Sequence, residues 1–291
     1  MAGPNTTGKP NTSDYFLGRG VCYFAALDPV TSLPLEYRDL GNAPEFNISL
    51  EVETLEHQSS RNGLKVTDKE VTISQKVNVS LTLDEINFQN LAVFLSGSSA
   101  GTSATDNTGH LNPTYAGVTE RELIPVGDVV LGRWYELRDA NGNRCYDIAK
   151  ANLTVKDEAA TTYSEGTDYE VNEEMGMIFL LTTGSIAAGG SDGVDFSLAA
   201  DSSADQYIPE VKGLTSTSIS GALKFIGENP ADNDSKLEYQ FHQISLKADG
   251  DFGLISDEYT QMTFTGIAER NVLADADSPT LTVRAVSTPQ T

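Results

Sequence analysis

The chain has 291 residues, with 42 Asp and Glu against 19 Lys and Arg, so its formal net charge is −23. That excess lies far beyond the magnitude of about 2–8 usual for a small domain. It resists binding to phosphate and anionic lipid, and without a basic run it excludes a conventional nucleic-acid binder.

Apolar residues make up 39% of the chain, enough for a real core in one large or two ordinary domains. Cys22 and Cys145 lie too far apart in sequence for a disulfide framework, and no Cys/His spacing suggests zinc; they read as reduced, partly buried thiols. No stretch approaches 18 apolar residues, and the first residues lack an apolar h-region. Neither a membrane span nor a signal peptide is expected, and folding in a cytoplasm is.

Residues 1–14, rich in Pro, Gly, Asn and Thr, read as a flexible arm. A first strand is predicted over Tyr15–Leu27. Residues 45 to 83 then write a long two-faced β-hairpin. Phe46, Ile48, Leu50 and Val52 alternate with Asn47, Ser49, Glu51 and Glu53; Val71, Ile73, Val77, Val79, Leu81 and Leu83 alternate with Thr72, Ser74, Lys76, Asn78, Ser80 and Thr82. Strand side chains point alternately to opposite faces, so each strand has one dry and one wet face. Burying the dry face does not offset the entropy of fixing so long a ribbon. The hairpin needs a second layer, and neighbouring strands from this chain or from another subunit. Its two strands are joined by Glu56–Lys69, too long for a tight turn and of a length that is usually functional or mobile.

Thr82 and Glu85 match a capping box, and Ile86, Leu91, Phe94 and Leu95 form an apolar stripe that ends at Gly97, which predicts a helix. Ser98–Asn112 reads as a Ser/Thr/Gly/Ala linker. A second β-rich unit follows, with strands expected at Val129–Leu137, Tyr146–Val155, Tyr169–Val171 and Met177–Thr182 and a hairpin turn at Asn141-Gly142. A Ser/Asp/Gly stretch, Gly189–Asp205, closes it. Long strands then return at Ile219–Ile226, Lys236–Lys247, Tyr259–Ile267 and Thr280–Val286. The expected fold class is all-β with one flanking helix. A β-sandwich is drawn from 15–112 and 206–291, and a β-rich domain is inserted at 113–205.

Chemistry is weakly signalled. Gly97-Ser98-Ser99-Ala100-Gly101 matches the G-x-S-x-G nucleophile elbow in letters only, because that motif needs a strand before it and a helix after it. His57, His110 and His242 show no i, i+4 pair, and His242 beside Phe241 on a strand reads as a surface or satisfied histidine. Asp249-Gly250-Asp251 and Asp232-Asn233-Asp234 do not fit a calcium loop, and no phosphate-binding glycine motif is present. No enzyme activity, metal or cofactor is expected.

The chain resembles the major tail tube proteins of long-tailed, siphophage-type bacteriophages. The resemblance lies in YFLGRGVCYFAALD (Tyr15–Asp28), LGNAPEFNISLEVETLEHQSSRNGLKVTDKEV (Leu40–Val71), DEINFQNLAVFLSG (Asp84–Gly97) and KADGDFGLISDEYTQMTFTGIA (Lys247–Ala268). GTDYEVNEEMGMI (Gly166–Ile178) is similar to segments of members with an extra domain. The resemblance implies a β-sandwich flanked by a helix, six copies closing a ring, and rings stacking head to tail into a tube. Inner strands of neighbours would join into one barrel around a lumen, which removes exposed edges. Asn47, Ser49, Glu51, Glu53, Thr72, Ser74, Lys76 and Asn78 would face that lumen, with Lys76 pairing locally. His57, Gln58, Ser59, Ser60, Arg61, Asn62, Gly63, Leu64 and Lys65 would form the loop that reaches the next ring. The implied partners are further copies of the chain, a tape-measure protein, and tail tip and tail terminator proteins. Double-stranded DNA would pass without specific binding, and no membrane is involved. The inserted domain would sit outside a virion tail assembled in a host cytoplasm. The alternative reading is an immunoglobulin-like surface-binding or virion decoration protein.

Overall fold

The structure is a computed structural model that describes residues 17–59, 63, 65–101, 108–189, 193–217, 219–230 and 235–287. These form two compact units: one takes the described residues up to Ser98 together with those from Val211, and the other is Ser99–Glu210. The fold is all-β, with a single α-helix among the described residues. In chain order the elements are β1 (Arg19–Ala26), β2 (Arg38–Asp39), β3 (Glu45–Ser59), β4 (Val66–Leu83), α1 (Phe88–Phe94), β5 (Ser98–Ala100), β6 (His110–Leu111), β7 (Val118–Ile124), β8 (Trp134–Glu136) and β9 (Leu153–Lys156). They continue with β10 (Tyr169–Asn172), β11 (Met177–Leu180), β12 (Val194–Leu198), β13 (Tyr207–Ile208), β14 (Glu210–Lys212), β15 (Ile219–Asn229), β16 (Ser235–Asp249), β17 (Met262–Ala268) and β18 (Leu281–Ser287).

The first unit is built on an antiparallel sheet of order β2-β1-β15-β16-β17-β4-β3. Strand β16 pairs with β15 along one edge and divides its other edge. Lys236–Phe241 pair with β18, and Ile244–Asp249 pair with β17. The sheet forks at this level. The β15 ladder is irregular at the same height, between Gly221 and Leu223, where a bulge bends the strand. The β17-β4-β3 arm can therefore fold over the rest and enclose a core of Phe24, Leu81, Leu83, Leu223, Phe241 and Phe264.

The alternation along the hairpin has partners in register across four strands. On the dry side the rows are Phe46–Leu81–Phe264–Ala248, Ile48–Val79–Gly266–Leu246 and Leu50–Val77–Ala268–Ile244. Gly266 leaves room in the middle row: a Cβ there would lie 2.9 Å from Leu246 Cδ2 and 3.0 Å from Ile244 Cδ1.

The helix begins later than the capping-box pattern places it. Thr82 belongs to β4, and Asn87 caps α1 by accepting from the Asn90 backbone N–H at 2.8 Å. Buried Asn90 ties the helix to the sheet. Its amide donates to the Leu40 carbonyl at 2.8 Å and the Glu85 carbonyl at 3.1 Å, and its oxygen accepts from Arg38.

The hairpin ladder also runs further than its polar sequence suggests. It continues to Ser59 opposite Val66, so most of Glu56–Lys69 is strand and the connection shrinks to residues 60–65. Two irregularities, between Glu53 and Thr54 and between His57 and Gln58, absorb Ile73 and Asp68 as extra residues of β4.

The Ser99–Glu210 unit holds two three-stranded sheets, β10-β11-β8 and β7-β12-β9, around Leu137, Val155, Ile178, Leu180, Val194 and Phe196. Asn141-Gly142 forms a turn: Asp139 Oδ1 accepts from the backbone N–H groups of Asn141 and Asn143, each at 2.8 Å, and Gly142 has φ +87°. The strands expected at Val129–Leu137 and Tyr146–Val155 are much shorter, Trp134–Glu136 and Leu153–Lys156. Val129, Cys145 and Ile148 reach the core from irregular backbone instead.

Candidate functional site

The other face of the β3-β4-β17-β16 arm is polar from edge to edge. Its rows are Glu45–Thr82–Thr263–Asp249, Asn47–Ser80–Thr265–Lys247 and Ser49–Asn78–Ile267–Ser245. Ile267 is the one apolar member. The face is concave and holds a groove of about 510 Å³, lined among others by Asn47, Asn78, Lys247 and Thr265. The extended strands with alternate polar residues dictate this surface, since every second side chain must leave the core.

Seven of the eight residues expected on this face share it. Asn47, Ser49, Glu51 and Glu53 on β3 stand opposite Ser80, Asn78, Lys76 and Ser74 on β4. Their side chains bond within the face: Ser74 Oγ donates to Glu53 at 3.1 Å, Asn78 Nδ2 to Glu51 at 3.4 Å, and Asn47 Nδ2 to Glu45 at 2.6 Å. Lys76 lies directly across from Glu51. Thr72 does not belong to the row. The bulge at Ile73 sets it opposite Thr54, one residue past Glu53 and therefore on the dry side. Val71 pairs with Leu55 and takes the wet side in its place.

The residues expected in the connecting loop divide. His57, Gln58 and Ser59 lie in β3, and His57 Nδ1 meets Asp68 Oδ1 across the ladder at 2.5 Å. Gly63 and Lys65 lie in the connection, Gly63 with φ +77°. Ser60, Arg61, Asn62 and Leu64 fall outside the described residues.

Beyond Val77, β4 has no strand but β3 beside it among the described residues, because β17 ends at Ala268 opposite that residue. From Glu51 to Ser59 the ribbon runs on as two strands for roughly 30 Å at ~3.3 Å per residue. Its apolar residues remain in water: Val52 is 53% exposed, Leu55 63% and Ile73 55%. Strand β3 is also the last in its sheet, so among the described residues no strand pairs with its outer edge along 15 residues.

Sequence reasoning named the hairpin half of the polar face and missed the rest, Ser245, Lys247, Thr263 and Thr265. The signal was present as alternation with Leu246, Phe264 and Gly266.

No nucleophile elbow forms around Ser99, which lies in β5 after a helix. His242 is buried, its Nε2 3.0 Å from Thr282 Oγ1, and burial pushes its imidazole below the ordinary value. Burial likewise pushes the Cys22 thiol up to about 12 and the Cys145 thiol to about 11, with Asp39 and Asp139 adding to it. Among the described residues no group of His, Cys, Asp and Glu gathers as a metal site.

No curated protein matches this sequence. A family model described as "Protein of unknown function UCP028589" matches residues 15–129 and 144–282, most of the chain, and the protein belongs to that family.

Proposed function

We propose that the protein is a structural subunit that polymerises into a hollow tube of the siphophage tail-tube kind. Copies would close into rings, with six as the number implied by the resemblance, and the rings would stack around a tape-measure protein. The tube would later conduct double-stranded DNA. Tail tip and terminator proteins would meet its ends.

The overhanging ribbon carries this reading. A two-stranded ribbon alone is marginal in water, yet this one leaves Leu50, Val52 and Ile73 uncovered and, among the described residues, one edge unpaired. A neighbouring copy that lies under the ribbon and along β3 supplies both missing partners, and a closed barrel removes the edge. The concave polar rows then line the bore. That wall presents Ser, Thr, Asn and carboxylates, with Lys76 and Lys247 isolated rather than arrayed, so phosphate gains no counterion release and slides without sticking.

Negative-stain microscopy of concentrated protein tests this. Rings or tubes with a central hole are the expected result. Strictly monomeric protein at every concentration, with the tape-measure partner present, would overturn it.

A further inference from the structure

The protein has a single tryptophan, and the fold leaves it in water. Trp134 is 47% exposed on β8, the last strand of the β10-β11-β8 sheet. Tryptophan is highly buried on average, so an exposed one marks a contact surface. Ile178 and Leu180 on β11 are fully buried, which sends Met177 and Phe179 to the opposite face. The register completes that face. One row is Trp134–Phe179–Glu170 and the next is Glu136–Met177–Asn172. The Trp134 and Phe179 rings lie 5.2 Å apart between centroids with their planes at 50°, so they form a shallow cradle.

Polar groups already held in place ring this apolar centre. Glu136 Oε2 accepts from Arg138, and Oε1 meets Arg144 Nη1 at 3.1 Å. The two guanidinium groups fix the carboxylate and leave Oε1 with lone-pair capacity. Asn172 Oδ1 accepts from the Met175 backbone N–H at 3.0 Å, and its amide NH2 has no partner among the described residues. The rim therefore offers a fixed acceptor and a fixed donor on either side of Met177.

The size of the face selects its ligand. Three strands and four residues span about 14 Å by 13 Å. A standard protein interface takes about 800 Å² from each partner, several times that footprint. A pyranose ring matches it. C–H groups cover the flat of the ring and stack on an aromatic face, while its edge carries hydroxyls that both donate and accept. Glu136 and Glu170 on the face, in a chain of net charge −23, disfavour an acidic sugar.

We propose that this face binds a neutral glycan, with one sugar ring stacked on Trp134 beside Phe179 and its hydroxyls held by Glu136, Glu170 and Asn172. The site is open and small, so a single ring binds with a Kd of about 1 mM or weaker. The site belongs to the Ser99–Glu210 unit and does not depend on the tube reading.

Trp134 is itself the reporter. The full chain is titrated with cellobiose, maltose, lactose and chitobiose, and in parallel with digalacturonate and choline chloride. At least one neutral disaccharide should shift Trp134 emission saturably, and the two charged probes should not. Saturation-transfer NMR then reads the variants with that disaccharide. Trp134→Ala should weaken binding roughly tenfold or more and Asn172→Ala roughly fivefold, both with unchanged circular dichroism. No saturable response to any of the four disaccharides, a response to digalacturonate or choline alone, or undiminished binding by Trp134→Ala overturns the site. Each of these outcomes leaves the tube reading untouched.

Discussion

The rings of Phe46 and Phe225 stack with centroids 5.1 Å apart and planes 22° apart, although β3 and β15 are four strand spacings from each other along the sheet. In a flat sheet those strands would lie ~19 Å apart. Phe46 also meets Phe241 edge-on at 6.2 Å. This cluster is what the folded-over arm closes upon.

Phe46→Ala should therefore loosen the first unit, at the low end of the about 3–5 kcal/mol typical of Phe→Ala because Phe46 is only half buried. The chain has one tryptophan, Trp134, in the other unit. Circular dichroism should report an earlier urea transition while Trp134 fluorescence keeps its midpoint.

Val52→Asp together with Ile73→Asp touches side chains that are more than half exposed. Subunit stability should change by no more than ~0.5 kcal/mol, yet ring formation should fail. Thermal melting and microscopy of the same sample separate the two effects.

Glu51→Lys with Glu53→Lys places new cations on the polar face beside Lys76. Assembled protein should then retain double-stranded DNA at about 50 mM salt and release it by about 200 mM. Filter binding checks this, with wild-type assemblies retaining little at either salt.

His242 predicts a pH effect. Desolvation lowers its pKa, Asp275 opposes that shift and Arg284 reinforces it. The unfolded chain takes up a proton near pH ~6.5 that the folded protein refuses. Its stabilising contribution is complete above that value and is lost as pH falls towards the folded pKa. Asp275, held below its ordinary range mainly by the Ser278 backbone N–H, stays ionised in this window. Urea midpoints at about pH 7 and about pH 5.5 should differ less for His242→Asn than for wild type.

The two thiols give a control on packing. Only a thiolate is nucleophilic, and Cys22 and Cys145 are pushed to about 12 and about 11 by burial. Iodoacetamide at about pH 8 should leave both unmodified in native protein and label both in urea.

Much of this architecture is legible as period-two alternation, because a strand that buries one face must write that face in its sequence. Phe46 to Val52 and Val77 to Leu83 are unambiguous. The pattern fails where backbone irregularity resets it. Nothing local marks Ile73 as the extra residue, so Thr72 reads as wet and Val71 as dry, and the partner of Leu55, itself on the wet side, is hidden until the bulge sets it opposite Val71. The helix start is displaced because Thr82 is claimed by a strand 18 residues long, a tertiary pairing that outweighs the capping motif. In the Ser99–Glu210 unit, Val129, Cys145 and Ile148 are apolar for the core rather than for a ladder, and apolar runs alone do not distinguish the two.

The fork in β16 has a mechanical corollary. Two layers held only by interleaved side chains can creep past one another under load. Here a single unbroken main chain belongs to both, with Gln243 at the branch point anchored to Glu269 at 2.7 Å. Sliding the layers would require breaking the β17 or β18 ladder along β16, so load along the strand is shared between both arms of the fork.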